Sequence, residues 1–341
     1  MKKIYKFIFI IAILLVTLSA GREAIQASAT SGFLLSEKVY LGGFPVGIDT
    51  LSEGLYVDEL ATITTENGLV TPLKDKGIDE GDILLKVNGN TVSSKAEVSK
   101  SIKPKRTNYL ELLDDKKEKF IVECTPIFDY KSQSYLLGLY LSDSIEGIGT
   151  VTFIRSDGRF SALGHPIAND KGKAVATNNA KIFKCTIDSV TPSKKDFPGK
   201  INGSFSIDEA IGRVVKNTDF GIYGVMNGDE YKKRTIQTQS RLLISTGKAK
   251  IFTTIVDNKP DYYDIEILSL SMQPRVKEKG MLIKVTDPRL LAIGGIVQGM
   301  SGSPIIQNDK LVGAVTHVLI EDTTKGYGIY SDFLFDISNE E

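Results

Sequence analysis

Imidazole is scarce in this chain. Of 341 residues only His165 and His317 carry it, so any histidine-dependent chemistry falls to one of these two. The sharpest chemical signal is Gly299-Met300-Ser301-Gly302-Ser303-Pro304. A nucleophilic serine must project from a tight turn, and flanking glycines let a substrate backbone approach closely. The N–H groups of Gly299 and Ser301 suit an oxyanion hole, where one donor is typically worth roughly 3–4 kcal/mol. The alternative is a glycine-rich hairpin in which Ser301 only turns the chain. Ser303 is the neighbouring hydroxyl, but Ser301 holds the position between glycines.

A serine hydroxyl needs a general base. His165 ends the apolar run Phe160-Ser161-Ala162-Leu163-Gly164 and opens a turn, where barrel folds collect site residues. His317 lies within Leu311–Val318, apolar on both faces, and reads as a buried structural histidine or a pocket wall. The candidate orienting acid is Asp287, in Val285-Thr286-Asp287-Pro288-Arg289. Asp before Pro and an apolar run equally describes the cap and first residue of a short helix.

The elements that must position these groups are mostly strands. Tyr135–Leu141, Gly149–Ile154, Phe160–Leu163, Lys248–Val256, Tyr262–Leu268, Met281–Val285, Pro304–Ile306, Leu311–Val318 and Gly328–Tyr330 are rich in β-branched and aromatic residues. Many short strands with glycine turns over 125–341 predict a sandwich or a pair of barrels. Residues 31–123 read as a smaller unit with one short helix within Ser94–Lys103.

Charge and composition narrow the class. Lys+Arg and Asp+Glu both number 42, which argues against nucleic-acid binding. Two cysteines, Cys124 and Cys185, are too few for a disulfide scaffold or a four-thiolate zinc site. No metal cluster or phosphate-binding loop is evident, so no cofactor is expected. Residues 1–29 have a basic head (Lys2, Lys3, Lys6), an uncharged run Phe7–Ala20 and Ala27-Ser28-Ala29, the pattern of an export signal. An uncleaved anchor is the rival. Everything after residue 30 is then expected outside the cytoplasm, where a Cys124–Cys185 bridge and two free thiols are both open.

Three resemblances sharpen these readings. Gly77-Ile78-Asp79-Glu80-Gly81-Asp82-Ile83-Leu84-Leu85-Lys86-Val87-Asn88-Gly89 resembles the core of a PDZ domain. Leu41-Gly42-Gly43-Phe44-Pro45 resembles its carboxylate-binding loop, which implies peptide capture by backbone N–H groups of Gly42, Gly43 and Phe44. Gly-x-Ser-Gly-x-Pro resembles the nucleophile loop of chymotrypsin-fold serine peptidases. Met300 stands where the trypsin group has Asp, so activation through a new N-terminus is not expected.

The whole chain is similar to the SpoIVB family of sporulation serine peptidases. Phe160–His165, Lys-Asn-Thr-Asp-Phe-Gly-Ile-Tyr-Gly at 216–224, 294–307 and 313–318 carry the likeness. It implies a mostly β fold: a PDZ domain at 31–123, then a chymotrypsin-like double β-barrel peptidase at 125–341. His165, Asp287 and Ser301 would be the triad. The family likeness further implies self-cleavage, and cleavage of a membrane-held regulator between forespore and mother cell, leading to activation of a late mother-cell sigma factor. Self-association or self-cleavage would run through the PDZ domain. A catalytically silent PDZ scaffold is the alternative, and a general envelope quality-control peptidase a weaker one.

Overall fold

The computed structural model describes residues 36–339 except 51–53, 115, 117, 143–145, 169–173, 176–179 and 230. The export-signal segment lies outside the described residues. The fold is mostly β, and 14 strands form one continuous hydrogen-bonded sheet.

That sheet returns on itself twice. Strands Arg159–Ala162, Gly221–Met226, Lys200–Thr218, Lys181–Thr191, Pro45–Asp49 and Glu146–Ile154 pair in sequence, and Glu146–Ile154 pairs back to Arg159–Ala162. A second ring runs through Lys310–Val318, Pro304–Gln307, Gly247–Thr254, Pro260–Leu270, Met281–Val285 and Lys325–Tyr330, and closes onto Lys310–Val318. Lys38–Leu41 and Thr235–Thr238 bridge the rings. Each ring holds its own apolar core. Val46, Ile48, Val151, Phe160 and Ile182 fill the first, and Ile251, Ile265, Ile283, Ile305 and Val315 the second. Closure removes the unpaired edges that an open sheet would expose.

A smaller five-stranded path, Leu139–Ser142, Leu55–Leu60, Ile83–Val87, Asn108–Leu113 and Lys119–Cys124, forms a separate sheet, with Asn90–Thr91 paired to Ile83–Val87. The expected short helix covers Lys95–Ser101. Ser94 caps it by accepting from the Glu97 N–H, while the Glu97 carboxylate reaches back to accept from the N–H and hydroxyl of Ser93, just before the cap.

The domain boundaries differ from the expected 31–123 and 125–341. Lys38–Leu41 and Pro45–Asp49 belong to the large sheet, and the small unit runs from Leu55 to Ser142. It is inserted between two paired strands of the first ring, where Asp49 and Glu146 lie opposite each other. The reason is burial. All five residues of Pro45–Asp49 are buried, as a strand paired on both sides within a closed ring demands and a half-open peptide groove does not.

This also corrects the reading of Gly42, Gly43 and Phe44 as a carboxylate-binding loop. The N–H groups of Gly42 and Gly43 already donate to Thr152 O and Val151 O. Gly43 has φ +83°, and a Cβ there would lie 2.4 Å from the Phe252 ring. The Gly43 carbonyl accepts from the Thr254 hydroxyl, and Phe44 stacks on Tyr231. These glycines close the seam between the rings. Cys124 and Cys185 are both free and buried.

Candidate active site

The seam brings the chemical residues together. Ser301 follows the turn Val297–Met300 at the start of the second ring's strand Pro304–Gln307. Its Oγ donates to Thr316 O at 2.9 Å. His165 follows the first-ring strand Arg159–Ala162, and its ring centroid lies 5.6 Å from that of His317. Gly302 locks the two segments together. It has φ +89°, and a Cβ there would sit 2.1 Å from Thr150 O and 2.4 Å from Leu163 N, so only glycine lets the nucleophile turn reach the His165 segment.

Two threonines not singled out in the sequence pin the same turn. Thr150 Oγ1 donates to Gly299 O at 2.8 Å and its N–H to Ser301 O; Thr152 Oγ1 donates to Gly302 O at 2.7 Å. Both lie on the strand Glu146–Ile154. Threonine spacing on a strand is too common a pattern to flag them from sequence.

The turn is held on its other side by the tip of the hairpin formed by Lys181–Thr191 and Lys200–Thr218. Ser193, buried, donates its hydroxyl to Ile296 O and accepts from the Gly199 N–H. Gln298 N–H donates to Gly199 O, and Ile201 N–H to Gln298 O. The backbone N–H groups of Gly299 and Ser301 make no hydrogen bond with the described residues. They flank a turn that is otherwise fully tethered.

The imidazoles differ in their surroundings. His165 Nδ1 lies 2.9 Å from Pro166 O. A carbonyl only accepts, so Nδ1 carries the proton and Nε2 is left bare, the form a general base needs. His317 Nδ1 is buried without a partner among the described residues. Burial, and then the charge of His165, hold the His317 pKa below the usual histidine value.

Asp287 is not brought to His165. It caps the helix Pro288–Ala292: Oδ1 accepts from the Arg289 N–H and Nε, and Oδ2 from the Asp264 N–H and Arg289 Nη2. The Arg289 guanidinium lowers its pKa to about 2. This is the helix-cap alternative in full, with both oxygens engaged away from the imidazoles.

A serine hydroxyl, a correctly tautomerised imidazole and two unpaired N–H groups around one turn are the equipment of a serine peptidase. The profile of the family described as SpoIVB peptidase S55 matches residues 133–335, more than half the chain, and the chain belongs to that family. It is a serine peptidase. Among solved structures, the chain is similar to the inactive form of the Rv3671c protease at 16% identity, covering 55% of this chain and 81% of that one, with a TM-score of 0.32. The active form of that protease from M. tuberculosis matches at 17% identity over 56% of this chain and 72% of that one, with a TM-score of 0.34. No curated protein matches the chain.

Proposed function

We propose that the protein is an exported serine endopeptidase of chymotrypsin-like architecture, the two closed rings being its two barrels. Ser301 is the nucleophile, His165 the general base and acid, and the N–H groups of Gly299 and Ser301 the oxyanion donors. The observation that carries the reading is the Gly302 contact with Thr150 and Leu163, which holds Ser301 beside the segment that presents His165. In the first step Ser301 Oγ attacks the scissile carbonyl carbon as its proton passes to His165 Nε2. The oxyanion then collapses, the C–N bond breaks, and His165 returns the proton to the leaving amine. Water deacylates the enzyme by the same base. Ser301 Oγ now donates to Thr316 O, a bond that substrate binding exchanges for one to His165; such bonds are often incomplete before substrate binds.

The substrate class is a protein chain, and the family resemblance supports a membrane-held regulator cut during sporulation in the space between forespore and mother cell. The inserted small unit supports a PDZ-type role at a relocated groove. A cavity of about 650 Å³ lies between the helix residue Val98 with its C-cap Ile102 and Leu137 with the edge-strand residues Leu139 and Leu141. An extended segment, from this chain or its target, would pair with that edge strand.

The test is expression of wild type beside Ser301→Ala and His165→Ala, with reaction toward a fluorophosphonate and determination of all fragment N-termini. Both variants are expected to fold and to lose at least about 1,000-fold in rate. A folded Ser301→Ala variant that still cleaves would sink the nucleophile reading.

A further inference from the structure

A cavity of about 470 Å³ lies between the single turn Arg241–Leu243 and the loop that follows the strand Pro260–Leu270. The peptidase reading makes no use of it. Leu242, Ile244, Leu270, Met272 and Tyr330 give it a largely apolar wall. Its charged wall residue, Arg241, is engaged by Asp332 at 2.7 Å. Two apolar side chains at the cavity are strongly exposed, Leu242 at 55% and Met272 at 90%. Large apolar groups clustered this way at a concave site mark a surface that something covers.

A buried polar group says what the cover must bring. Gln273 lines the cavity and is 6% exposed. Its Nε2 donates to Lys279 O at 3.0 Å, which fixes the amide, and its Oε1 is buried without a partner among the described residues. Buried acceptors are rarely left unpaired. The occupant is therefore apolar and supplies an N–H, as an extended peptide does.

The chain delivers such a peptide to the rim. Lys38 lies opposite Gln237, Val39 opposite Ile236 and Tyr40 opposite Thr235, so stepping back along the chain from Lys38 follows the other strand forward toward Arg241. Hydrogen bonds carry this course to Ser36. The Thr238 N–H donates to Glu37 O, the Glu37 N–H to Thr238 Oγ1, and the Ser36 hydroxyl to Thr238 O at 2.8 Å. Leu242 stands four residues beyond Thr238, at most about 14 Å of chain, and three extended residues ahead of Ser36 span roughly 10 Å. Those three are Phe33, Leu34 and Leu35, within a stretch from 24 to 36 that carries no charge.

We propose that the segment just ahead of Ser36 docks in this cavity in cis, with the Phe33 side chain as its anchor and a backbone N–H donating to Gln273 Oε1. The tether raises its effective concentration above that of any segment from a substrate or a second copy. The docking does not depend on the assignment of Ser301 or His165.

The test uses the full exported chain, whose sequence contains no tryptophan. Phe33→Trp then reports from one place. Its emission is expected at shorter wavelength than in the denatured chain, with most acrylamide quenching lost. Adding Leu242→Glu should return both to solvent values; Leu242 is exposed, so this change leaves the fold in place. A thermal cycle of wild type, Phe33→Asp, Leu242→Glu and the double variant gives a second reading without tryptophan. Phe33→Asp is expected to lower the midpoint by about 2–4 °C. The double variant should lose no more than the larger single loss, since each change removes the same contact. Solvent-like emission from folded Phe33→Trp overturns the proposal. So does a wild-type midpoint in Phe33→Asp, and so do additive losses in the cycle. A shielded tryptophan that ignores Leu242→Glu places the segment elsewhere. Shielding that appears only as protein concentration rises assigns the cavity to a second copy. Either result overturns docking in cis.

Discussion

Both oxygens of Asp287 are occupied by the cap and by Arg289, and this decides what replacing it does. Asparagine still caps a helix, but it cannot pair with the guanidinium. Asp287→Asn is therefore expected to lower stability by about 1–2 kcal/mol, the screened value of a half-exposed arginine pair on a buried carboxylate. It should leave peptide cleavage within a few-fold of wild type. The sign with pH follows from the depressed value. The ordinary carboxylate value is 3.8 and the folded value about 2. The stabilisation is present above pH 4 and is lost as pH falls through 4 toward 2. Acid titration of wild type and Asp287→Asn should converge below that window and diverge above it. A stable Asp287→Asn without activity contradicts the capping role. Asp-Pro before an apolar run satisfies cap and catalytic acid alike, and the family resemblance alone favours the acid; the cap and the Arg289 fork are what the structure adds. His165 and Ser301 stood out in the sequence because their types are rare or their flanks unusual. Thr150, Thr152 and Ser193 did not, because hydroxyls that hold backbone carbonyls have no sequence spacing of their own.

At the scale of elements, the second ring was largely legible. Met281–Val285 was foreseen with those bounds, and Leu311–Val318 lies within the strand Lys310–Val318. The long hairpin of Lys181–Thr191 and Lys200–Thr218 was not foreseen. Its outer half consists of exposed and half-exposed residues such as Asp188, Ser189 and Ser204–Glu209, so no apolar stripe marks it. Yet its tip holds the nucleophile turn through Ser193. Ser193→Ala leaves the Gly199 N–H and the Ile296 carbonyl without their shared partner inside the protein. The expected cost is about 1–3 kcal/mol, with kcat about tenfold lower because Gly199, whose carbonyl tethers Gln298 one residue before an oxyanion donor, loses the hydroxyl that fixes it. Phe197→Ala, at the exposed tip, should change neither. Measured melting midpoints and fluorophosphonate labelling rates check both variants. A labelling rate for Ser193→Ala equal to wild type would mean the hairpin is a surface feature only.

At the scale of the whole molecule, the sequence order small unit then peptidase suggests two beads on a string, and the chain is not built that way. The turn and the strand Ile83–Val87 within Gly77–Gly89 were legible because turn residues and an apolar run follow one another locally. The insertion was not, because it depends on which distant strands Pro45–Asp49 pairs with. That strand pairs with Glu146–Thr150 on one side and with Lys181–Lys184 on the other. It also contributes Val46 and Ile48 to the first-ring core, into which the small unit packs Tyr56, Ile83 and Leu85. A fragment of residues 125–341 therefore lacks an inner strand of the first ring. Removing it opens two edges, strips two fully buried side chains from the core and exposes the seam that Gly43 and Phe252 close. Each loss is of the order of several kcal/mol against a total stability of roughly 5–15 kcal/mol. The fragment is expected to aggregate through its open edges and to take no fluorophosphonate. A chain of residues 36–341 should remain folded and reactive. Expression of both, compared by circular dichroism and labelling at Ser301, decides the point. A soluble, labelled 125–341 fragment would show that the first ring closes without Pro45–Asp49 and that the small unit stands apart after all.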